Sequence, residues 1–496
     1  MRAIFATVVF TGAALAAAGC SNKAIDPPAQ AAAAPADAGR IPITTSVEGA
    51  RQEFLEGRSL AERLRVTDSI AHFDKAIALD PSFGLAELAR ANASPTGTEF
   101  LAHLAKAVAA ADRLSDGEKL QIAAANAGAN ARGPEQRRLL EQLVAAYPQD
   151  ERAHFALGAV LFGQQDPAGA IEHFKNANAI APNYSAPYNQ MGYAYRQLGD
   201  FANAEQAFKK YIELIPNDPN PYDSYAELLM KIGRFDESIA QYRKALSIDE
   251  HFLNSHMGIA ADLMYQNKAA EAAAEAAQIV KKARTDAETR TGKFVTTSLH
   301  VYDGEMPGAL KSLDDQFAVA QKSNDTLGMV GDLQAKAAIL IEMNKPADAQ
   351  AMFDKAIALV DASSLPDPIK ANQHLFRHNA LARVALAKGD IAGARRETEA
   401  FSGVALKGGP FQVRQAHELA AMIALQSKDW DMALKELDQS SLQNVYNVYR
   451  QCLAYRGKGD AAKAAERCDA AAKFYPLPEL NFSFIHAKAA KGAGRT

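Results

Sequence analysis

The same small set of residue types returns every 34 residues along this chain. Gly158 is followed at offsets of 12, 16, 19 and 24 by Ala170, Phe174, Ala177 and Pro182. Gly192, 34 residues on, is followed at the same offsets by Ala204, Phe208, Tyr211 and Pro216. After a further 34 residues Ala226 leads to Ser238, Tyr242 and Ala245, with Glu250 in place of the proline. Nearer the start, Gly57 leads to Ser69, Phe73, Ala76 and Pro81, and Ala124, Leu140, Leu143 and Pro148 keep the register more loosely. A fixed period of this length is the mark of an array of stacked supersecondary units, none of which buries its apolar face alone.

Composition agrees with an array of helices. Of 496 residues, 48% are hydrophobic but only 8% aromatic, which leaves alanine as the main apolar residue. Alanine favours helix and buries little area, so the core has to come from many close helix crossings. A charged fraction of 23% and a net charge of −4 argue against a nucleic-acid binder. The mean hydropathy of −0.20, with no apolar stretch of membrane-spanning length inside the body, excludes a multi-span membrane protein.

The repeating residues resemble the tetratricopeptide repeat family. That resemblance implies an all-α, right-handed superhelical solenoid of antiparallel helix pairs. The small residue sits where the two helices of a unit cross closest, and the alanine twelve later is its small counterpart. The aromatic sixteen later fills the gap to the next unit, and the terminal proline stops the second helix. The pattern is regular over 46–289 and looser over 290–480. There Ala349, Phe353 and Ala356, then Ala433 and Leu437, restate the second-helix signature. Cys452, Ala464, Cys468, Ala471 and Pro476 restate the whole frame. We expect roughly ten helical pairs, with residues 481–496 forming a capping helix over the open end and a frayed tail.

Residues 1–19 read as an address rather than as structure. Arg2 precedes the apolar run Ile4 to Ala18, and small residues lead into Cys20. Leu15 to Cys20 resembles a bacterial lipobox, with Ala17 where leucine is usual. The resemblance implies lipidation of Cys20, and Ser21 after it implies sorting to the outer membrane. Residues 20–45, rich in Ala and Pro, are expected to be a disordered tether.

No catalytic signature is present: there is no His-Glu-x-x-His, no phosphate-cradling Gly-rich loop and no Gly-x-Ser-x-Gly. His374 and His378 share a helix face but lack a third metal ligand, so they read as ordinary side chains. Gly403, Gly408 and Gly409 before Pro410 read as a helix stop and start. The expectation is a non-enzyme with no cofactor and no metal. Cys452 and Cys468 occupy the small position of the first helix and the aromatic position of the second within one repeat, on facing surfaces. A disulfide and a pair of buried thiols are both compatible with that placement.

In the family, partners usually lie in a concave groove lined by the first helices. Its exposed positions fall three before, one after and four after the small residue. Carried over, these are Phe155, Ala159 and Phe162; Asn189, Tyr193 and Arg196; Asp223, Glu227 and Met230; Met257, Ala261 and Met264. Aromatics, methionines and hydrogen-bonding groups together suit an adaptable peptide-binding surface. A clamp for a C-terminal carboxylate is not expected, because the matching places hold Arg152, Phe155, Asn189 and Ser224. The functional expectation is a lipid-anchored, periplasm-facing adaptor that binds a protein or peptide partner. It would touch the membrane through its anchor only. The competing reading is an enzyme or carbohydrate-handling envelope lipoprotein with a site in the C-terminal half.

Overall fold

The computed structural model describes residues 39–130 and 132–494. The expected signal segment, the Cys20 lipidation site and the start of the tether lie outside the described residues. The described chain is a succession of antiparallel α-helix pairs. The regular part comprises α1 (Glu48–Glu62) with α2 (Val66–Leu79), α3 (Gly84–Asn92) with α4 (Gly97–Ala110), α5 (Asp116–Ala129) with α6 (Gly133–Ala146), and α7 (Glu151–Gly163) with α8 (Pro167–Ile180). It continues through α9 (Ser185–Gln197) with α10 (Phe201–Leu214), α11 (Pro219–Lys231) with α12 (Phe235–Ile248), and α13 (Leu253–Tyr265) with α14 (Ala269–Lys282).

From there the helices lengthen. The pairs are α15 (Asp286–Tyr302) with α16 (Met306–Lys322), α17 (Thr326–Glu342) with α18 (Pro346–Ala362), and α19 (Asp367–Ala387) with α20 (Ile391–Ala405). Then come α21 (Pro410–Gln426) with α22 (Trp430–Asp438), α23 (Val445–Gly457) with α24 (Ala461–Ala472), and a final α25 (Leu480–Gly492). Twelve pairs and a last helix stand where roughly ten pairs were expected. The looser spacing of the C-terminal half has a simple cause: α15 to α18 run 17 residues each and α19 runs 21, so the units are longer while the packing frame persists.

The turns explain why the helices stop and restart. Gly199 ends α9 at φ +77°, a left-handed conformation that glycine adopts without a Cβ penalty. Asp200 then caps α10 by accepting the amide of Asn203 at 3.2 Å. Asp390, Asp429 and Asp460 cap α20, α22 and α24 in the same way.

The repeat frame is a packing frame. A Cβ on Gly192 would lie 2.5 Å from the Phe208 ring, so only glycine admits that ring. Phe174 and Phe208 thus pack against the small residue of their own unit, and they share clusters with Met191 and Leu228 of the following units; Tyr242 meets Gly258 of the next unit. Cys452 and Cys468 form a disulfide that ties α23 to α24, with Cα atoms 5.1 Å apart.

The chain then closes on itself. Thr67 donates to Glu288 (3.1 Å), Arg284 pairs with Asp68 (2.8 Å), Arg414 donates to the Gln164 carbonyl (2.7 Å) and Gln165 donates to Ser441 (2.6 Å). Leu101 of α4 packs with Leu327 and Ile369. The end of the expected disordered tether is also fixed. Ile41 donates its amide to Asp150 (2.9 Å), Thr44 donates its amide to Glu118 (2.8 Å), and the Thr45 hydroxyl donates to Asp80 (2.6 Å). These acids sit at helix starts and turns with acceptor oxygens to spare, and the extended chain satisfies them. No helix among the described residues is long and apolar enough to cross a membrane.

Candidate binding surface on the concave face

Successive first helices touch one another, α7 with α9, α9 with α11, α11 with α13, α19 with α21 and α21 with α23, and so line the inner side of the coil. That inner face has three parts, and the central part is filled. The chain leaving α24 crosses α11 and α13 before turning into α25. Lys231 donates to the Phe474 carbonyl at 2.5 Å, and the Tyr265 hydroxyl donates to the Pro476 carbonyl. Tyr475 stands edge-on to Phe235 with centroids 5.0 Å apart, and Tyr302 stacks on His486 at 3.6 Å. Phe482, Phe484 and Ile485 join one buried cluster with Met230, Met257 and Met264.

This corrects the expected groove. Asp223, Glu227, Met230, Met257 and Met264 do lie on the first helices, but all are buried, and Leu477 sits beside Asp223, Glu227 and Met257. α25 is therefore a wedge in the concave face as well as a cap on α24, and its helix runs through the supposed frayed region to Gly492. The next unit back is also largely core. Asn189 and Tyr193 are buried, and Tyr193 packs edge-on against Phe208 at 5.0 Å. Arg196 lies over the Tyr193 ring at 4.7 Å and donates to Glu227 at 3.2 Å. Phe155 packs against Phe174 and Tyr184, and Phe162 is half-buried beside α9.

Two cavities flank the filled centre. The N-terminal one, about 440 Å³, is lined by Phe54, Arg58, Leu88, Gln121, Leu140 and Arg152, among others. Arg152 donates to Glu62 at 2.8 Å and to Glu151 at 2.5 Å, so its charge is already matched. The C-terminal cavity is larger, about 830 Å³, within the range of ligand-binding clefts. Its apolar walls include Phe353, Phe376, Leu386, Met422, Tyr449 and Phe484.

At the base of this larger cavity Glu418 accepts from Arg383 at 2.9 Å and from Arg450 at 2.8 Å. Burial alone would push the Glu418 carboxyl up, but the two guanidiniums overrule it and hold it down at about 2. Arg383 also donates through Nε to Asn379 Oδ1 at 2.9 Å. The amide nitrogen of Asn379 has no hydrogen-bond partner among the described residues, although Asn379 is only 6% exposed. Two arginines around one glutamate leave the cluster with one excess positive charge.

The signal for this cavity was in the sequence. Counting three before, one after and four after Ala337 gives Gln334, Ala338 and Ile341; after Ala382 it gives Asn379, Arg383 and Leu386; after Ala421, Glu418, Met422 and Leu425. All nine residues line the C-terminal cavity. His374 and His378 face away to separate acids, Asp361 at 2.7 Å and Glu397 at 2.8 Å.

Comparison with known families decides the identity of the repeats. Three tetratricopeptide repeat profiles match residues 134–185, 161–228 and 220–252. The chain carries tetratricopeptide repeats over residues 134–252. Proteins with these repeats generally bind other proteins. No curated protein sequence matches the chain.

Solved structures similar to this tetratricopeptide repeat chain include the MamA protein, at 18% identity over 34% of this chain and 91% of that one, TM-score 0.29. A tetratricopeptide repeat protein from Parabacteroides merdae matches at 14% identity over 55% of this chain and 98% of that one, TM-score 0.35. The thermophilic TPR protein TTC0263 from Thermus thermophilus matches at 21% identity over 43% and 98%, TM-score 0.29.

Proposed function

We propose that this tetratricopeptide repeat protein is a lipid-anchored adaptor of the bacterial cell envelope, facing the periplasm, that holds a protein partner in the C-terminal cavity of its concave face. The observation that carries the reading is the pairing of a broad apolar cleft with a buried polar cluster that is incompletely satisfied. Asn379 keeps an unpartnered donor there, and Arg383 and Arg450 share one carboxylate. Such sites bind by apolar burial and orient by a few polar groups. The role is binding rather than catalysis. Cys20 would anchor the chain, and the residues between it and the pinned segment at Ile41 would give it reach.

A photo-crosslinking amino acid at Gln373, which lines the cavity, tests the reading in intact cells. A defined protein captured there, and lost on Met422→Asp, supports it. Equal capture from an exposed turn position away from the cavity, such as Lys268, contradicts it. Metabolic labelling with a radioactive fatty acid tests the anchor: label should vanish in Cys20→Ala, and label that persists would reject lipidation at that residue.

A further inference from the structure

The concave face already holds one peptide segment, and its chemistry is readable. Residues 474–484 read Phe-Tyr-Pro-Leu-Pro-Glu-Leu-Asn-Phe-Ser-Phe. Two of its main-chain carbonyls, those of Phe474 and Pro476, are met by side-chain donors on the first helices, Lys231 and Tyr265. Its rings enter a wall of aromatics and methionines. Its one acid, Glu479, is half-buried in the field of Lys231: desolvation pushes the carboxyl up to about 7, and the Lys231 charge pulls the other way.

The C-terminal cavity continues this surface. Asn481 and Phe484 of the same segment form part of its lining. It offers the same ingredients with no occupant among the described residues. Phe353, Phe376, Tyr449 and Met422 supply the wall, and Arg383 supplies the cation, as Lys231 does at the centre. The unpartnered Asn379 amide lies beside Arg383, joined to it through Oδ1. Glu418 neutralises only one of its two guanidiniums. Glu342, the other carboxylate of the lining, is already paired with Lys488 at 2.8 Å, so a basic residue entering here would meet an excess of like charge, and a neutral one would leave that charge partly desolvated. A carboxylate would be met by two donors.

We infer that the C-terminal cavity takes an extended partner segment of the same chemistry as residues 474–484, with large apolar and aromatic side chains around a single acidic side chain that Arg383 and Asn379 receive. The inference rests on the protein-binding reading above and specifies its partner.

The test uses the full chain, disulfide intact, and a fluorescent synthetic peptide copying residues 473–485, read by anisotropy. The same peptide with Glu479→Gln should bind roughly tenfold more weakly, and with Glu479→Lys more weakly still. Arg383→Gln in the protein should abolish the preference for the acidic peptide, Arg383→Lys should retain most of it, and Lys231→Gln should leave it unchanged. Equal affinity for the Glu and Gln peptides, or a preference that survives Arg383→Gln, overturns the inference. Absence of peptide binding overturns it too. In each case a partner still captured at Gln373 leaves the protein-binding reading standing, so the two fail separately.

Discussion

The ammonium of Lys231 donates to the main-chain carbonyl of Phe474, 243 residues further along the chain, at a distance of 2.5 Å. The same ammonium lies 3.5 Å from the centre of the Phe474 ring. This contact fastens the segment after α24 across α11. The middle of the concave face is therefore internal structure, and the binding we propose falls to the cavity on its C-terminal flank.

Removing an anchor of the segment should loosen it. Phe482 is fully enclosed, among Tyr265, Tyr302 and Tyr475. Phe482→Ala should cost about 3–5 kcal/mol, the usual penalty for truncating a buried aromatic. Urea unfolding measures the loss, and limited proteolysis should cut first between α24 and α25. A cost under about 1 kcal/mol would mean that the segment is not packed as described.

The crossing glycines set a second expectation. Ala at position 192 gains helix propensity of about 1 kcal/mol over Gly, yet its Cβ would press on the buried Phe208 ring. Overpacking outweighs propensity here, so Gly192→Ala should destabilise by about 1–3 kcal/mol. A neutral or stabilised variant in chemical denaturation would show that the two helices can separate freely.

The disulfide predicts a redox effect. Cys452 and Cys468 close a short loop, with a sequence separation of 16. In the chain-entropy account such a link contributes about 3 kcal/mol. Reduction, or the double change Cys452→Ala with Cys468→Ala, should lower stability by that order. Thiol titration of the denatured, unreduced protein should find neither of the two cysteines free.

Asp262 gives the pH dependence a sign. Burial pushes its carboxyl from 3.8 up to about 8. Between those values the folded chain binds more protons than the unfolded chain, so stability is full below about 4 and falls as pH rises toward 8. Asp262→Asn removes this slope. Its Tm relative to the unsubstituted protein should therefore rise between pH 5 and pH 8.5. Lys231, pushed down to about 7 by burial, acts above that pH with the opposite sign, so the comparison with Asp262→Asn isolates the acid. A constant Tm difference across the range would mean that Asp262 titrates normally.

The local rules of this fold were legible in the residues. Gly192 with Phe208 and Gly158 with Phe174 are near-neighbour pairings that a fixed offset reveals, because each is decided inside one unit. Asn379, Arg383, Glu418 and Met422 obey that same offset, and lengthened helices hid them by breaking the 34-residue count. The closure was not legible. Lys231 with Phe474, Tyr302 with His486 and Thr67 with Glu288 are pairings between residues far apart in the chain, decided by the accumulated curvature of the coil. One hint existed: Phe474, Tyr475, Phe482 and Phe484 crowd aromatics into a stretch of a chain that is only 8% aromatic.

Hydroxyl-radical footprinting of the full chain tests the closed centre most directly. Met257, 5% exposed, and Met264, 3% exposed, should be oxidised at least tenfold more slowly than Met432, which is 42% exposed on α22. Phe482→Asp should raise the oxidation of Met257 and Met264 and leave Met432 unchanged. Oxidation of Met257 and Met264 at the rate of Met432 in the unsubstituted protein would contradict the account, because it would mean an open central groove.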